Sequence, residues 1–194
     1  ISEGRLRRSQ ELLARTRGRA DVAAMQEILR DHLEGGAIRL PGSTPDDERY
    51  FTLCMHSEPI GTTTASLVAR LGRDRTAPWP VWISFATPCT SVFLPVYLEA
   101  AIPAALARGG EALSDDSMWW AMKRLQDAAS VDFPRHTPQV REGFGALERA
   151  IAAERPEIER RAARAIASGD EDGASELLSD FMTRTTAEAM KLAV

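Results

Sequence analysis

Residues 80–97 read PVWISFATPCTSVFLPVY, and this stretch decides the fold class. It holds two short apolar segments, Pro80–Ala86 and Ser91–Tyr97, joined by a tight connection that contains Pro88 and Cys89. Short segments rich in β-branched and aromatic residues are typical of strands. A parallel crossover needs about a dozen residues or more, so this short connection predicts antiparallel pairing.

Two further strand candidates lie upstream, at Arg49–His56 and Thr62–Leu71. The turn-forming residues Pro59 and Gly61 lie between these two segments. The surrounding region, residues 51–110, carries only seven charged side chains, which is typical of a largely buried sheet. The sequence therefore predicts a run of antiparallel strands over residues 49–97.

The rest of the chain predicts helices, over residues 1–35 and 115–192. Asp21 is placed to cap a helix from Val22 to Leu33. Pro156 interrupts a long apolar register, so either one kinked helix or two helices meeting at Arg155 is expected there. Strands followed by a block of helices predict an α+β fold, with residues 1–194 forming a portion of a single domain.

Composition excludes several functional classes. The chain of 194 residues has a net charge of −4, whereas nucleic-acid and anionic-membrane binders are usually basic. No apolar run approaches the ~18 residues that a membrane-spanning helix needs. Two cysteines fit a reducing compartment better than a secreted scaffold, so a cytoplasmic location is expected.

Complete catalytic motifs are absent from the sequence: it contains no GxxxxGK[ST], GxGxxG, HExxH or GxSxG. The three histidines, His32, His56 and His136, fall on different predicted elements, and Cys54–His56 is the only close cysteine–histidine pair. A zinc site needs several such ligands brought together. The sequence therefore predicts no metal site and implies no cofactor.

Cys54 and His56 are separated by one residue, so on a strand they point to the same face. One interpretation is a cysteine activated by an adjacent imidazole. The other, which the pattern favours, is a buried strand cysteine beside a hydrogen-bonded histidine at the strand end. Cys89, in its tight connection, is also interpreted as a packing residue.

Six blocks carry a family resemblance, and they occur in a fixed order along the chain. They are DVAAMQEILRDH (21–32), FTLCMH (51–56), GTTTASLVARL (61–71), PVWISFATPCTSVFLPVY (80–97), DDSMWWAMKRLQDAA (115–129) and PQVREGFGALE (138–148). Together they resemble the C-terminal half of the secernin / cysteine dipeptidase family, which belongs to the N-terminal-nucleophile hydrolases.

The resemblance implies a four-layer αββα sandwich that hydrolyses small peptides. In such enzymes a cysteine at the mature N-terminus is the nucleophile and its own α-amino group is the base, whose unperturbed pKa of about 7.7–8.0 suits neutral pH. This sequence starts at Ile1, so the nucleophile is expected in an N-terminal part outside this chain. The chain is then expected to pack against that segment, against a companion chain, or against another copy of itself.

Within this chain, the resemblance leaves His56, Thr62, Thr63, Thr64 and Cys89 as the candidates for a wall of the substrate pocket. The alternative hypothesis is a non-catalytic, secernin-like interaction protein. A companion polypeptide that begins with cysteine favours the hydrolase, whereas a homogeneous 194-residue species inert toward dipeptides favours the interaction protein.

Overall fold

The computed structural model describes residues 2–33, 44–47, 49–72 and 77–193. Its helices are α1 (Ser2–Arg15), α2 (Val22–Leu29), α3 (Ala104–Ala107), α4 (Met118–Ser130), α5 (Phe133–Ala167) and α6 (Glu171–Leu192). Its strands are β1 (His56–Ser57), β2 (Gly61–Thr62), β3 (Ala65–Ala69), β4 (Val81–Phe85) and β5 (Leu94–Val96). Helices and small antiparallel sheets together make this an α+β structure, as the sequence predicts.

Strands β3, β4 and β5 form a three-stranded sheet in that spatial order, and both pairings are antiparallel. Ile83 on the central strand pairs with Leu67 on one side and Leu94 on the other. Strands β1 and β2 form a separate two-stranded ladder, in which His56 pairs with Thr62. The antiparallel pairing predicted from the short connections is confirmed.

Three strand predictions are wrong in extent. The predicted Ser91–Tyr97 strand is reduced to Leu94–Val96. Only His56 of the predicted Arg49–His56 strand is in a strand, because turns occupy the preceding residues: the Tyr50 amide bonds the Asp47 carbonyl, and Thr52 Oγ1 donates to the Cys54 carbonyl at 2.6 Å. Local side-chain bonds of this kind compete with a ladder. The predicted Thr62–Leu71 strand is divided between β2 and β3.

The sequence predicts helix caps at Asp21 and Asp170 and a helix start after the Ser- and Asp-rich residues 114–117, and the structure confirms all three. Asp21 accepts a hydrogen bond from the Ala24 amide at 2.8 Å, Ser117 accepts one from Trp120 at 3.5 Å, and Asp170 accepts one from Gly173 at 2.9 Å. Each side-chain oxygen thus satisfies an amide that lacks an intrahelical partner. Helix α2 ends at Leu29, earlier than the predicted Leu33.

Helix α5 runs unbroken from Phe133 to Ala167 with Pro156 inside it, so the alternative of two helices meeting at Arg155 is wrong. Phe144, Ile151 and Ile158 lie on its buried stripe. Burial of this stripe on both sides of Pro156 holds the helix in one register across the amide that proline lacks.

Helices α5 and α6 form an antiparallel hairpin. The turn lies at Gly169, whose φ of +82° favours glycine, and Arg184 pairs with Glu154 at 2.6 Å, fifteen residues to either side of it. Buried side chains of α6, including Leu178, Phe181 and Met182, join the core that also holds the sheet.

The sequence also predicts that Gly35–Gly36 ends a helix and that residues 36–48 form a turn-rich loop. The glycine pair, and residues 36–43 and 48 of that loop, lie outside the described residues. Within the described ranges, no helix combines the length and apolar character needed to cross a membrane.

Candidate functional site

Four side chains from distant parts of the chain meet in one cluster: His32, Cys54, His56 and Cys89. Each contributes one nitrogen or sulfur atom, and these four atoms all lie within 4.8 Å of one another. His56 Nε2 lies 3.5 Å from Cys54 Sγ and 3.2 Å from Cys89 Sγ. The site thus presents two sulfur and two nitrogen donors around one point.

Burial distinguishes this cluster from a surface patch. His32 and Cys54 are fully buried, Cys89 is 4 % exposed, and His56 is half-buried. The Phe133 ring covers both imidazoles, with its centroid 5.7 Å from that of His32 and 5.4 Å from that of His56. The cluster is therefore largely closed to water and to substrates.

His32 is positioned by the segment that follows α2. Just before it, Asp31 accepts hydrogen bonds from Arg8 at 2.6 and 2.8 Å, and the Asp31 carbonyl accepts the Cys54 amide at 3.1 Å. Burial disfavours the Asp31 carboxylate, but the hydrogen bonds from Arg8 and the Leu33 amide outweigh it and lower the pKa of Asp31. This network ties the histidine segment to the cysteine segment.

Cys54 and His56 are held by the neighbouring chain. The Met55 amide donates to Thr63 Oγ1 at 3.0 Å, and the Thr63 amide donates back to the Met55 carbonyl at 2.9 Å. This double contact fixes Met55 between Cys54 and His56. Cys54 and His56 thereby point to a common side, as expected for residues two apart in extended chain.

Cys89 lies in a short 3₁₀ turn, Pro88–Thr90, that bonds to both neighbouring helices. The Thr87 amide donates to Gln126 Oε1 of α4 at 3.1 Å, and Arg30 at the end of α2 donates to the Pro88 carbonyl at 2.9 Å. Thr87 and Thr90 also join their hydroxyls at 2.8 Å. The turn is therefore fixed on both sides of the sulfur.

The environment of Cys89 favours its thiolate. Burial alone raises a thiol pKa, but hydrogen bonds from Cys54, His32 and His56 outweigh the burial and hold the pKa of Cys89 well below its ordinary value. A buried thiol that is stabilised as thiolate beside two imidazoles has the character of a metal ligand or of a nucleophile.

Of the five residues expected to line a pocket, His56 and Cys89 lie in the cluster, and Thr62 pairs with His56 in the β1–β2 ladder. The threonines bond to their own neighbours: Thr62 donates to Glu58 at 2.6 Å, and Thr63 accepts the Met55 amide. Thr64 is exposed, and its carbonyl accepts the Trp119 indole at 3.0 Å. A role of these residues in binding substrate stays a prediction.

His32 and Cys54 belong to this cluster although the sequence does not predict them in a site. The histidines fall on different predicted elements, and for that reason the sequence predicts no metal site. In the structure two of the three histidines and both cysteines meet in space, so the separation of His32 and His56 along the chain does not keep them apart. The spacing Cys54-x-His56 was the one available signal, since residues two apart on extended chain form half of a four-ligand set.

Apart from the cluster, a groove of about 780 Å³ lies between α2, strands β3 and β4, and α5. Its lining mixes cations and carboxylates, among them Arg30, Arg141 and Glu148, around the ring of Trp82. The arginines and acids pair with each other, as in the 2.5 Å contact between Arg30 and Glu148. None of the four clustered residues lines this groove.

No protein-family model matches the chain, and neither the curated proteins nor the solved structures contain a match to it.

Proposed function

We propose that this chain is the C-terminal portion of a cysteine dipeptidase-like amidohydrolase that cleaves small peptides, with the nucleophile in an N-terminal part outside the chain. The proposal starts from the six ordered blocks of sequence resemblance. One structural observation adds most to it: the sheet has an apolar face that is left open on its β3 side.

That face is defined by Ala65, Leu67 and Ala69, the alternate residues of β3, and all three are exposed. Leu67 is 61 % exposed although its ladder partner is Ile83. An apolar edge face of this kind normally packs against another layer. In the proposed αββα sandwich a second sheet covers it, supplied by the N-terminal part, a companion chain or another copy.

The burial of both thiols agrees with a nucleophile elsewhere. Cys54 is fully buried and Cys89 is 4 % exposed, and a buried sulfur has no path to a peptide carbonyl. In the proposed enzyme an N-terminal cysteine attacks that carbonyl, its α-amino group takes the thiol proton, and backbone amides stabilise the oxyanion. Thr62, Thr63, Thr64 and the half-buried His56 are proposed as part of the pocket wall, with Cys89 behind His56 at 3.2 Å. The location is proposed as cytoplasmic.

The test uses the natural gene product that contains this sequence. Intact mass and N-terminal sequencing should find a mature polypeptide that begins with cysteine, and replacing that cysteine with alanine should abolish dipeptide hydrolysis. A homogeneous product without such a cysteine, inert toward dipeptides, would contradict the proposal and favour the secernin-like interaction protein.

A second arm tests the open sheet face. Leu67→Asp should weaken assembly with the covering part and lower hydrolysis, because a buried, unpaired charge opposes the contact. Leu113→Asp is the matched control, since Leu113 is also 61 % exposed but lies outside the sheet. Equal behaviour of the two variants would refute the proposed covering layer.

A further inference from the structure

We propose that His32, Cys54, His56 and Cys89 bind one zinc ion as a closed, four-ligand structural site. This inference stands apart from the proposed hydrolase, because it rests on the cluster alone and requires no peptide chemistry.

The spacing of the donor atoms fits a tetrahedral zinc ion. Zinc–sulfur bonds of about 2.3 Å and zinc–nitrogen bonds of about 2.0–2.1 Å place neighbouring ligand atoms roughly 3.3–3.8 Å apart in a tetrahedron. His56 Nε2 lies 3.5 Å from Cys54 Sγ and 3.2 Å from Cys89 Sγ. The remaining separations also stay within 4.8 Å, so small side-chain rotations close the set around a metal.

The chemistry of the donors selects the ion. Two thiolates and two imidazoles form the Cys₂His₂ set of structural zinc sites, whereas calcium and magnesium take oxygen ligands. Two thiolates also balance the charge of a divalent cation, so the filled site is neutral. A neutral centre avoids the cost of an unpaired buried charge beneath the Phe133 ring.

The ligands join three parts of the chain, which are otherwise connected here by the hydrogen bond from the Cys54 amide to the Asp31 carbonyl and by that from Arg30 to the Pro88 carbonyl. His32 follows α2, Cys54 precedes β1, His56 is the first residue of β1, and Cys89 lies in the 3₁₀ turn before β5. The β1–β2 ladder has only two residues in each strand, too short to be stable alone. A metal cross-link at this point contributes binding free energy directly to folding.

The site is structural rather than catalytic, because four protein ligands leave no open coordination position for water or substrate. Its burial points the same way, since only His56 is more than slightly exposed. A disulfide between Cys54 and Cys89 is the competing fate of the same sulfurs, and it would leave both imidazoles without a metal partner.

The test begins with the untagged protein, purified without chelator. Elemental analysis should find about one zinc per chain. Protein stripped with a chelator should take up Co²⁺ and show the intense visible absorption of tetrahedral cobalt, together with thiolate-to-cobalt charge transfer. Added Zn²⁺ should displace the cobalt and raise the melting temperature.

Variants locate the ion. Cys54→Ser, Cys89→Ser and His56→Asn should each lose zinc and the cobalt spectrum. His136→Asn is the matched control, because His136 is the third histidine and lies on α5 outside the cluster, and it should bind as the unaltered protein does. Where a ligand variant fails to fold, the zinc-dependent shift in melting temperature of the unaltered protein carries the test.

Three outcomes would overturn the proposal. One is a protein that takes up neither zinc nor cobalt. Another is metal uptake that all three ligand variants retain. The third is an intact mass showing loss of two hydrogens with no metal bound, because it identifies a Cys54–Cys89 disulfide. Loss or retention of peptide hydrolysis changes none of these results, so the zinc site and the hydrolase proposal fail separately.

Discussion

The carboxylate of Glu148 on α5 lies 2.5 Å from the guanidinium of Arg30 at the end of α2. Both side chains are largely buried, at 15 % and 6 % exposure. Glu148 also accepts the Phe93 amide at 2.9 Å, and Arg30 also donates to the Pro88 carbonyl at 2.9 Å. One ion pair therefore holds α2, α5 and the turn that carries Cys89.

Replacing Glu148 with alanine should lower the free energy of unfolding by about 3 kcal/mol, because the buried Arg30 then keeps only the exposed Glu27 as an ion-pair partner. Chemical denaturation measures this loss. Glu157→Gln is the control, since Glu157 pairs with Arg160 on the exposed side of the same helix and should unfold as the unaltered protein does. Equal stabilities of the two variants would show that the buried pair contributes nothing.

The buried phenol of Tyr97 should make the free energy of unfolding fall at alkaline pH. Burial, together with the negative charge of Glu159, raises the pKa of Tyr97, and its hydroxyl donates to Glu159 Oε1 at 3.0 Å. The folded pKa therefore lies above the unfolded value of about 10, so the stabilising contribution is complete below about pH 10 and is lost as the pH rises further.

Between about pH 9 and pH 11 the unaltered protein should therefore lose stability more steeply than Tyr97→Phe, which has no phenol to ionise at this position. Denaturant melts at several pH values measure the two slopes. Parallel slopes would show that Tyr97 ionises as freely in the folded protein as in the unfolded chain.

The stability of helix α4 should depend on its N-cap residue, Ser117. Ser117 is fully buried, accepts the Trp120 amide and donates to the Arg108 carbonyl at 2.9 Å. Ser117→Ala should cost about 1–2 kcal/mol in thermal or chemical unfolding, because the Arg108 carbonyl and the Trp120 amide both lose their partner. Ser168→Ala, at an exposed serine that ends α5, should change stability by less than about 0.5 kcal/mol. A reversed order of the two losses would contradict this assignment of the cap.

The sequence predicts the helices better than the strands. Asp21 and Ser117 stand directly before apolar helical patterns, Asp170 follows Gly169 at the end of the preceding helix, and the structure confirms each as a cap. The apolar segment 80–86 likewise contains β4. These features are encoded locally, by a capping oxygen or by a short apolar run, and a local pattern suffices to find them.

The region before β1 shows where local patterns fail. Residues 49–56 have the composition of a strand, but Thr52 bonds the Cys54 carbonyl and Ser57 Oγ donates to the Tyr50 carbonyl. These side-chain bonds satisfy the backbone without a ladder. The alternation of apolar and polar residues carries no information about these side-chain hydrogen bonds, so the strand is predicted too long.

The cluster of His32, Cys54, His56 and Cys89 is not predictable from periodicity, because its parts are up to 57 residues apart in the sequence. Only tertiary packing of the α2 end, β1 and the 3₁₀ turn brings them together. The sequence shows one half of the set, the Cys54–His56 pair, and from that half alone a packing interpretation is reasonable.

X-ray absorption at the zinc edge, on protein loaded with one equivalent of zinc, tests the cluster most directly. We expect a first shell of two sulfur atoms at about 2.3 Å and two nitrogen atoms at about 2.0 Å, with the outer scattering of imidazole rings. A first shell of nitrogen and oxygen alone would contradict the site, because it would leave Cys54 and Cys89 without a bond to the metal.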